Sequence, residues 1–283
     1  MTIITHAAPS SLLWACILTT LLIAPKGMHA QSGVDEQDGS DPVSMKSRVV
    51  VDAEAYLFVG EARHYAMRFG YEYGIQNGKH LFGMSLPFVH AIYNADFGGY
   101  ENTTGVGDLK MRYLFVPFLQ TSKAGLQRVS TYAEVSAPTG DYRLGRGAGT
   151  WLFKPGMVFT FRSNPYVSFY PEIKFQLSGG AGNSLGGGDG APDANDTNLD
   201  GKIQNLSFSL PVVVLVKDWD GWFSLNAMYT RSLSENVDFI FLRTDFGRMI
   251  GANTSAALNI SKFIAGQPRL NVLVQARFQF FIR

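Results

Sequence analysis

The feature that most constrains this chain is a period of two in its apolar residues, repeated segment after segment from residue 48 to the end. Tyr65, Met67, Phe69, Tyr71, Tyr73 and Ile75 alternate with His64, Ala66, Arg68, Gly70, Glu72 and Gln76. Neighbouring side chains of a strand point to opposite faces, so such a stretch is a strand with one aromatic side and one polar side. The pattern returns at Leu109, Met111, Tyr113 and Phe115 against Asp108, Lys110 and Arg112, then at Trp151, Phe153, Met157, Phe159 and Phe161 against Lys154, Thr160 and Arg162. It recurs at Val167, Phe169, Ile173, Phe175 and Leu177, and it ends the chain as Leu270, Val272, Val274, Ala276, Phe278, Phe280 and Ile282.

A soluble sandwich also alternates, and two features separate it from a membrane barrel. In a sandwich the polar side meets bulk water and is rich in Lys and Glu. Here charged residues make up only 17% of the chain while aromatics reach 13%, and the polar sides carry mostly small and amide residues with a few charges of either sign. That suits a wet but crowded lumen. The connections also alternate in length. Asn77-Gly78, Ser163-Asn164-Pro165 and Asp218 to Gly221 read as tight periplasmic turns, whereas 96–107, 138–150 and 179–201 are longer, Gly-rich and expected outside the cell. The fold expected is all-β: a transmembrane antiparallel up-and-down β-barrel of about twelve strands. The strands are placed at 48–60, 62–76, 80–94, 108–119, 127–138, 150–162, 166–178, 203–217, 221–232, 235–245, 249–260 and 268–283. The tenth alternates poorly from Val237 to Arg243. It is kept because single-chain bacterial barrels have an even number of strands.

The residues ahead of the barrel divide in two. From Leu12 to Ile23 the chain is apolar apart from Cys16, Thr19 and Thr20, which is the length of a signal-peptide core and too short for a spanning helix. A Pro25-Lys26-Gly27 break follows, and Ala30 offers a small residue for cleavage. Residues 1–30 therefore read as a signal peptide, 31–47 as a flexible periplasmic lead-in rich in Asp, Ser and Gly, and 48–283 as an outer-membrane barrel. The single cysteine, Cys16, falls in the segment to be removed, so the mature chain has no disulfide, thiolate metal site or catalytic cysteine. Lys plus Arg (24) and Asp plus Glu (23) nearly cancel, leaving no global field to attract nucleic acid.

Two motifs carry a family likeness. Thr104-Gly105-Val106-Gly107-Asp108-Leu109-Lys110 heads one alternating strand, and Ala137-Pro138-Thr139-Gly140-Asp141 leads to Leu144-Gly145-Arg146-Gly147. Together they resemble the outer-membrane barrels named after the meta-pathway of phenol degradation, in which a GxGD turn opens one strand and a PTGD loop joins the next hairpin. The likeness is specific over residues 100–180. It implies a barrel and the passage of hydrophobic or aromatic small molecules, and it supplies no catalytic residues. Read from the residues alone, Gly105, Gly107 and Gly140 relieve backbone strain at turns while Asp108 and Asp141 bind local amides.

In such a barrel Lys110, Arg112, Arg128, Glu134, Lys154, Arg162, Glu172 and Lys174 are expected to line the lumen, with opposite signs pairing across it. The stretch around Lys110, Arg112, Lys154 and Arg162 should be net positive. Asp196, Asn198 and Asp200 open a weak calcium-loop candidate, but Ser207 stands where the closing bidentate Glu belongs, and a polar Asx-rich loop is the preferred reading. No cofactor is implied. An enzyme needs a nucleophile beside a His and an acid, and His64, His80 and His90 are not set in such a pairing along the chain. The function expected is passive or facilitated passage of small solutes, hydrophobic or aromatic ones included, across the bacterial outer membrane. A non-transporting structural or adhesion barrel is the alternative, with a lipid-modifying enzyme behind both. The partners implied are outer-membrane lipid and lipopolysaccharide, the barrel-assembly machinery and a small-molecule solute.

Overall fold

Strands in a bilayer must pair along both edges, because lipid offers no partner to a free N–H or C=O, and only a closed cylinder pairs them all. The computed structural model describes residues 36–58, 62–75, 78–93, 102–120, 124–179, 204–233, 236–266 and 270–282. It shows strands β1 (Arg48–Phe58), β2 (Arg63–Gly74), β3 (His80–Ile92), β4 (Thr103–Val106), β5 (Leu109–Leu119), β6 (Gly125–Ala137) and β7 (Trp151–Asn164). There follow β8 (Val167–Phe169), β9 (Glu172–Gly179), β10 (Gln204–Val216), β11 (Gly221–Ser232), β12 (Val237–Gly251), β13 (Thr254–Gly266) and β14 (Leu270–Phe281). β4 and β5 pair in succession with β3, and β8 and β9 in succession with β7 and β10, so these segments make twelve staves. Every stave runs antiparallel to the next. The seam between β1 and β14, from Arg48 opposite Phe281 to Phe58 opposite Leu270, closes the barrel.

One end carries tight turns. Gly78 has φ 63, the 3-10 turn Lys217–Trp219 stops at Asp220 in the left-handed region, and the Asn164 side chain accepts the N–H groups of Tyr166 and Val167 at 2.8 and 3.0 Å. β1 starts and β14 finishes at this end, which in a barrel of this kind is the periplasmic one. β3, β6 and β9 finish at the other end, which carries the described connection 138–150. The candidate calcium residues Asp196, Asn198 and Asp200, like the expected signal peptide, lie outside the described residues.

Burial is inverted relative to a soluble protein. Phe69, Phe82 and Met84 are 55%, 51% and 55% exposed, while Asp52 and Gln275 are 2% and 5% exposed. The apolar faces point outward to lipid. On β3 the outward row reads His80, Phe82, Met84, Leu86, Phe88, His90, with polar rings at both ends of an apolar run about 20 Å long.

Three sequence expectations need correction. The stave that alternates poorly, β12, is the longest single strand among the described residues, at 15 residues. Its turn into β13 falls after Gly251, not between 245 and 249. Gly247 belongs to the strand because the Trp222 ring occupies its side: a Cβ there would lie 2.2 Å from Trp222 Cζ2. The stave expected from 108 reaches back to Thr103, interrupted at Gly107 and Asp108. Residues 36–47, expected as a flexible lead-in, are ordered. They form a short helix, α1 (Glu36–Ser40), and a following stretch whose Asp41, Val43 and Ser44 are buried.

Candidate functional site

The packed apolar cluster of this protein lies inside the barrel, near its periplasmic end. Val43 belongs to it, together with Leu81 of β3, Leu114 and Val116 of β5, Val158 of β7, Tyr170, Val213 of β10, Trp222 of β11 and Ala257 of β13. Helix α1 packs against β10 to β13, and Gly39 lets it approach Trp222 so closely that a Cβ would lie 2.7 Å from the ring. Arg128 of β6 grips the same segment through Asp41, at 2.5 Å with both side chains nearly buried. Burial of Val43 contributes about 1.5–3 kcal/mol to holding it there. Residues 41–45 thus form a stopper in the lumen.

Next to this stopper lies a cavity of about 320 Å³, reached by Gly39 to Pro42 on one side and by charged side chains of the wall. Strand parity explains the lining. Arg48, Val50 and Asp52 of β1, Arg68, Gly70 and Glu72 of β2, and Lys110 and Arg112 of β5 all fall on inward positions. The cations Arg48, Arg68, Lys110, Arg112, Arg243 and Arg277 are matched in number by Asp41, Asp52, Glu72, Glu134, Glu172 and Asp245. The cavity as a whole is therefore balanced in charge, whereas the sequence suggests a positive stretch.

A network of two-point contacts lies on a wall from which the expected lumen residues are missing, although Arg68 and Glu72 fall on the polar side of their alternating strand. Arg277 donates to both oxygens of Asp52 at 2.8 and 3.1 Å. Arg68 forks onto Glu54 at 2.9 and 3.0 Å. Glu54 also accepts from Gln275, which in turn accepts from Asn259, each at 3.1 Å. Arg48 meets Glu72 at 2.5 Å, and Arg243 meets Asp245 at 2.9 Å. Two-point guanidinium–carboxylate pairs fix geometry as well as charge, so this network stiffens the wall from β12 through β14 and β1 to β2. The signal is present in the sequence as the inward parity of Arg48, Asp52 and Glu54. It is faint because β1 has small apolar residues, not aromatics, on its outer side.

Of the expected lumen residues, Lys110, Arg112, Glu134 and Glu172 line the cavity. Lys154 is paired with Glu134 at 3.3 Å, and Arg128 is committed to the stopper. Arg162 and Lys174 are half-buried on inward positions of β7 and β9 and lie outside the cavity lining. Glu172 is held by hydroxyls, accepting from Tyr132 and, at 2.9 Å, from Ser209.

At the extracellular end the two glycine motifs clasp each other. Asp108 accepts the N–H groups of Gly140 and Ala148 at 3.0 and 2.7 Å, and Thr139 Oγ1 donates to the Gly107 carbonyl at 3.0 Å. Arg146 Nη1 donates to the Thr104 carbonyl at 2.9 Å. Asp141 does bind a local amide, that of Arg143. Asp108 binds amides more than thirty positions away, which spacing along the chain could not show. Gly107 and Gly140 serve close approach: a Cβ on Gly140 would lie 2.5 Å from the Arg146 carbonyl oxygen.

A family model described as "Putative MetA-pathway of phenol degradation" matches residues 34–182. An outer membrane channel from Pseudomonas putida F1 is 12% identical and superposes with a TM-score of 0.62 over 91% of this chain and 99% of that one. NanC porin is 9% identical, with a TM-score of 0.55 over 82% of this chain and 100% of that one. KdgM porin is 8% identical, with a TM-score of 0.50 over 83% and 99%. No curated protein matches the chain.

Proposed function

This chain belongs to the family of the MetA-pathway of phenol degradation, and from that premise we propose that it is an outer-membrane channel passing small solutes through its lumen. The observation that carries this reading is the charge-lined cavity of about 320 Å³ inside a closed barrel. A purely structural barrel has no need to keep such a space, since inward side chains of twelve strands can fill it. The cavity lining favours a polar or charged solute over a hydrophobic one on this route. The first thirty residues serve as the export signal, and the stopper of residues 41–45 must shift for solute to pass.

A non-enzymatic reading is supported by what the histidines touch. His80 Nδ1 and His90 Nδ1 share hydrogen bonds with Tyr113 and Thr104, each at 2.8 Å, and both lie on the outward row of β3. His64 leans on Tyr56, with ring centroids 5.3 Å apart.

Swelling of proteoliposomes in sorbitol tests the channel. The mature protein should admit sorbitol, and Asp41→Ala, which takes the carboxylate from Arg128 and leaves it the Thr160 hydroxyl, loosens the stopper and should admit it several-fold faster, because a buried charge that loses its counter-charge is costly. If neither protein admits sorbitol, the barrel does not pass small solutes.

A further inference from the structure

The cations that line the cavity are of two kinds. Arg48, Arg68, Arg243 and Arg277 each lie within 2.5 to 2.9 Å of a carboxylate. Lys110 and Arg112 have no carboxylate within ion-pair distance and donate no hydrogen bond among the described residues; Glu134 acts on both, and Glu72 on Arg112, only at longer range. Their positions are nonetheless defined. Both fall on the inward side of β5, two residues apart, and the Arg112 guanidinium lies 5.0 Å from the centroid of the Tyr132 ring. Stacking of this kind holds the guanidinium in place while leaving its N–H groups for another acceptor.

Space is left where that acceptor would sit. Directly across on β3, Lys110 faces Ser85 and Arg112 faces Gly83; Gly70 of β2 pairs in turn with Ser85. All three small residues line the cavity. A Cβ on Gly83 would lie 3.2 Å from Glu72 Cγ, and one on Gly70 would lie 3.3 Å from Ser85 Cβ. Larger side chains at these positions would crowd the floor in front of the two cations.

We propose that Lys110 and Arg112 form a binding site for a small solute that carries one carboxylate. The inference rests on reading the lumen as a solute path and names the class of solute. A guanidinium fork accepts a planar carboxylate at two points, and a lysine about 7 Å along the strand adds a point charge without fixing orientation. A second negative charge on the solute is disfavoured. Glu134 lies opposite Arg112 on β6, and Glu172 accepts from the Tyr132 hydroxyl under the stacked guanidinium. Chloride fits less well, because it presents no plane for the fork.

The test uses gluconate and sorbitol, which differ only in a carboxylate against a hydroxymethyl group. Equilibrium dialysis of the refolded mature protein should retain gluconate at least about tenfold more tightly than sorbitol. Lys110→Gln with Arg112→Gln should abolish the difference. Arg112→Lys, which keeps the charge and loses the fork, should fall between the two. Folding of each variant is checked by the heat-dependent gel mobility of the barrel; if the double variant does not fold, Arg112→Lys decides. Equal retention of the two solutes overturns the site, as does gluconate retention that the variants leave unchanged. Dialysis reads binding without passage, so the two readings fail separately. Sorbitol flux with no gluconate retention removes the site alone, and gluconate retention with no flux in vesicles removes the channel alone.

Discussion

The two halves of the barrel wall are built differently. The six staves from β11 through β14 and β1 to β2 contain no proline, whereas of the six from β3 to β10, five carry one: Pro87, Pro117, Pro155, Pro171 and Pro211. Proline has no N–H to give a ladder, and pairing is interrupted beside Pro155 and Pro117, whereas Pro87 and Pro211 keep their places in unbroken ladders. The β7–β9 ladder loses its pairing between Phe153 opposite Leu177 and Gly156 opposite Lys174, across Pro155, and resumes in the same register. The β5–β6 register shifts between Phe115 and Phe118, across Pro117. In the proline-free half the β1–β2, β11–β12 and β13–β14 ladders run without a shift, and the shifts of β1–β14 and β12–β13 lie near strand ends, at Leu57/Phe58, Ile240/Phe241 and Met249/Gly251.

The lumen side divides the same way. The proline-free half holds the bidentate pairs of Arg277 with Asp52 and Arg68 with Glu54. The interrupted half holds Lys110 and Arg112, the Tyr132–Glu172 contact and the Arg128 grip on the stopper. Rigidity and function are thus segregated: one arc is a braced scaffold, and the other carries the groups free to meet a solute.

The largest expected effect would break this comparison outright. Asp52→Ala strands the Arg277 guanidinium beside a buried position and should cost about 3–5 kcal/mol of folding stability. Glu134→Ala in the other arc removes a carboxylate whose side chain is 28% exposed, against 3% for Asp52, and should cost about 1 kcal/mol or less. Urea titrations of folding into lipid vesicles measure both, and equal costs would show that the two arcs are braced alike.

A second experiment sharpens the comparison by asking where it should vanish. Both arcs face the same lipid, so Phe246→Arg in β12 and Phe159→Arg in β7 should each cost about 2–4 kcal/mol if near the bilayer midplane. Gln176→Arg, on the lumen side of β9, should cost much less. A large difference between the two phenylalanine variants would mean that the arcs differ on their outer faces too.

The smallest effect is kinetic. Backbone amides flanking Pro155 on β7 and β9 should exchange with deuterium roughly tenfold faster than those of the β1–β14 seam, because local opening there breaks fewer ladder bonds. Uniform protection around the barrel would mean that the prolines do not loosen the wall.

Much of this protein is legible in its residue pattern. Eleven staves overlap closely with the segments that alternation marks, because a strand in a barrel meets lipid on one side and lumen on the other, and that imposes a period of two on the residues themselves. β12 reads poorly for a local reason: Phe239, Ile240, Phe241 and Leu242 are all apolar, and the register shift between Ile240 and Phe241 breaks the alternation. Parity also identifies Lys110, Arg112, Glu134 and Glu172 as inward-facing.

What parity cannot reach is anything set by distance across the barrel. That Asp41 and Val43 fold back into the lumen depends on Arg128, Trp222 and Tyr170, which come from three different staves. That Lys110 and Arg112 lack carboxylate partners while Arg68 and Arg277 have them depends on how curvature brings β1, β2 and β14 side by side. The clasp of Asp108 on Gly140 and Ala148 joins two motifs that spacing alone leaves as separate turns. The sequence by itself determined which side each residue faces, because that follows from strand geometry one residue at a time. Only the tertiary structure decided which inward charges are satisfied and which remain available, because that is a property of the closed cylinder and not of any one strand.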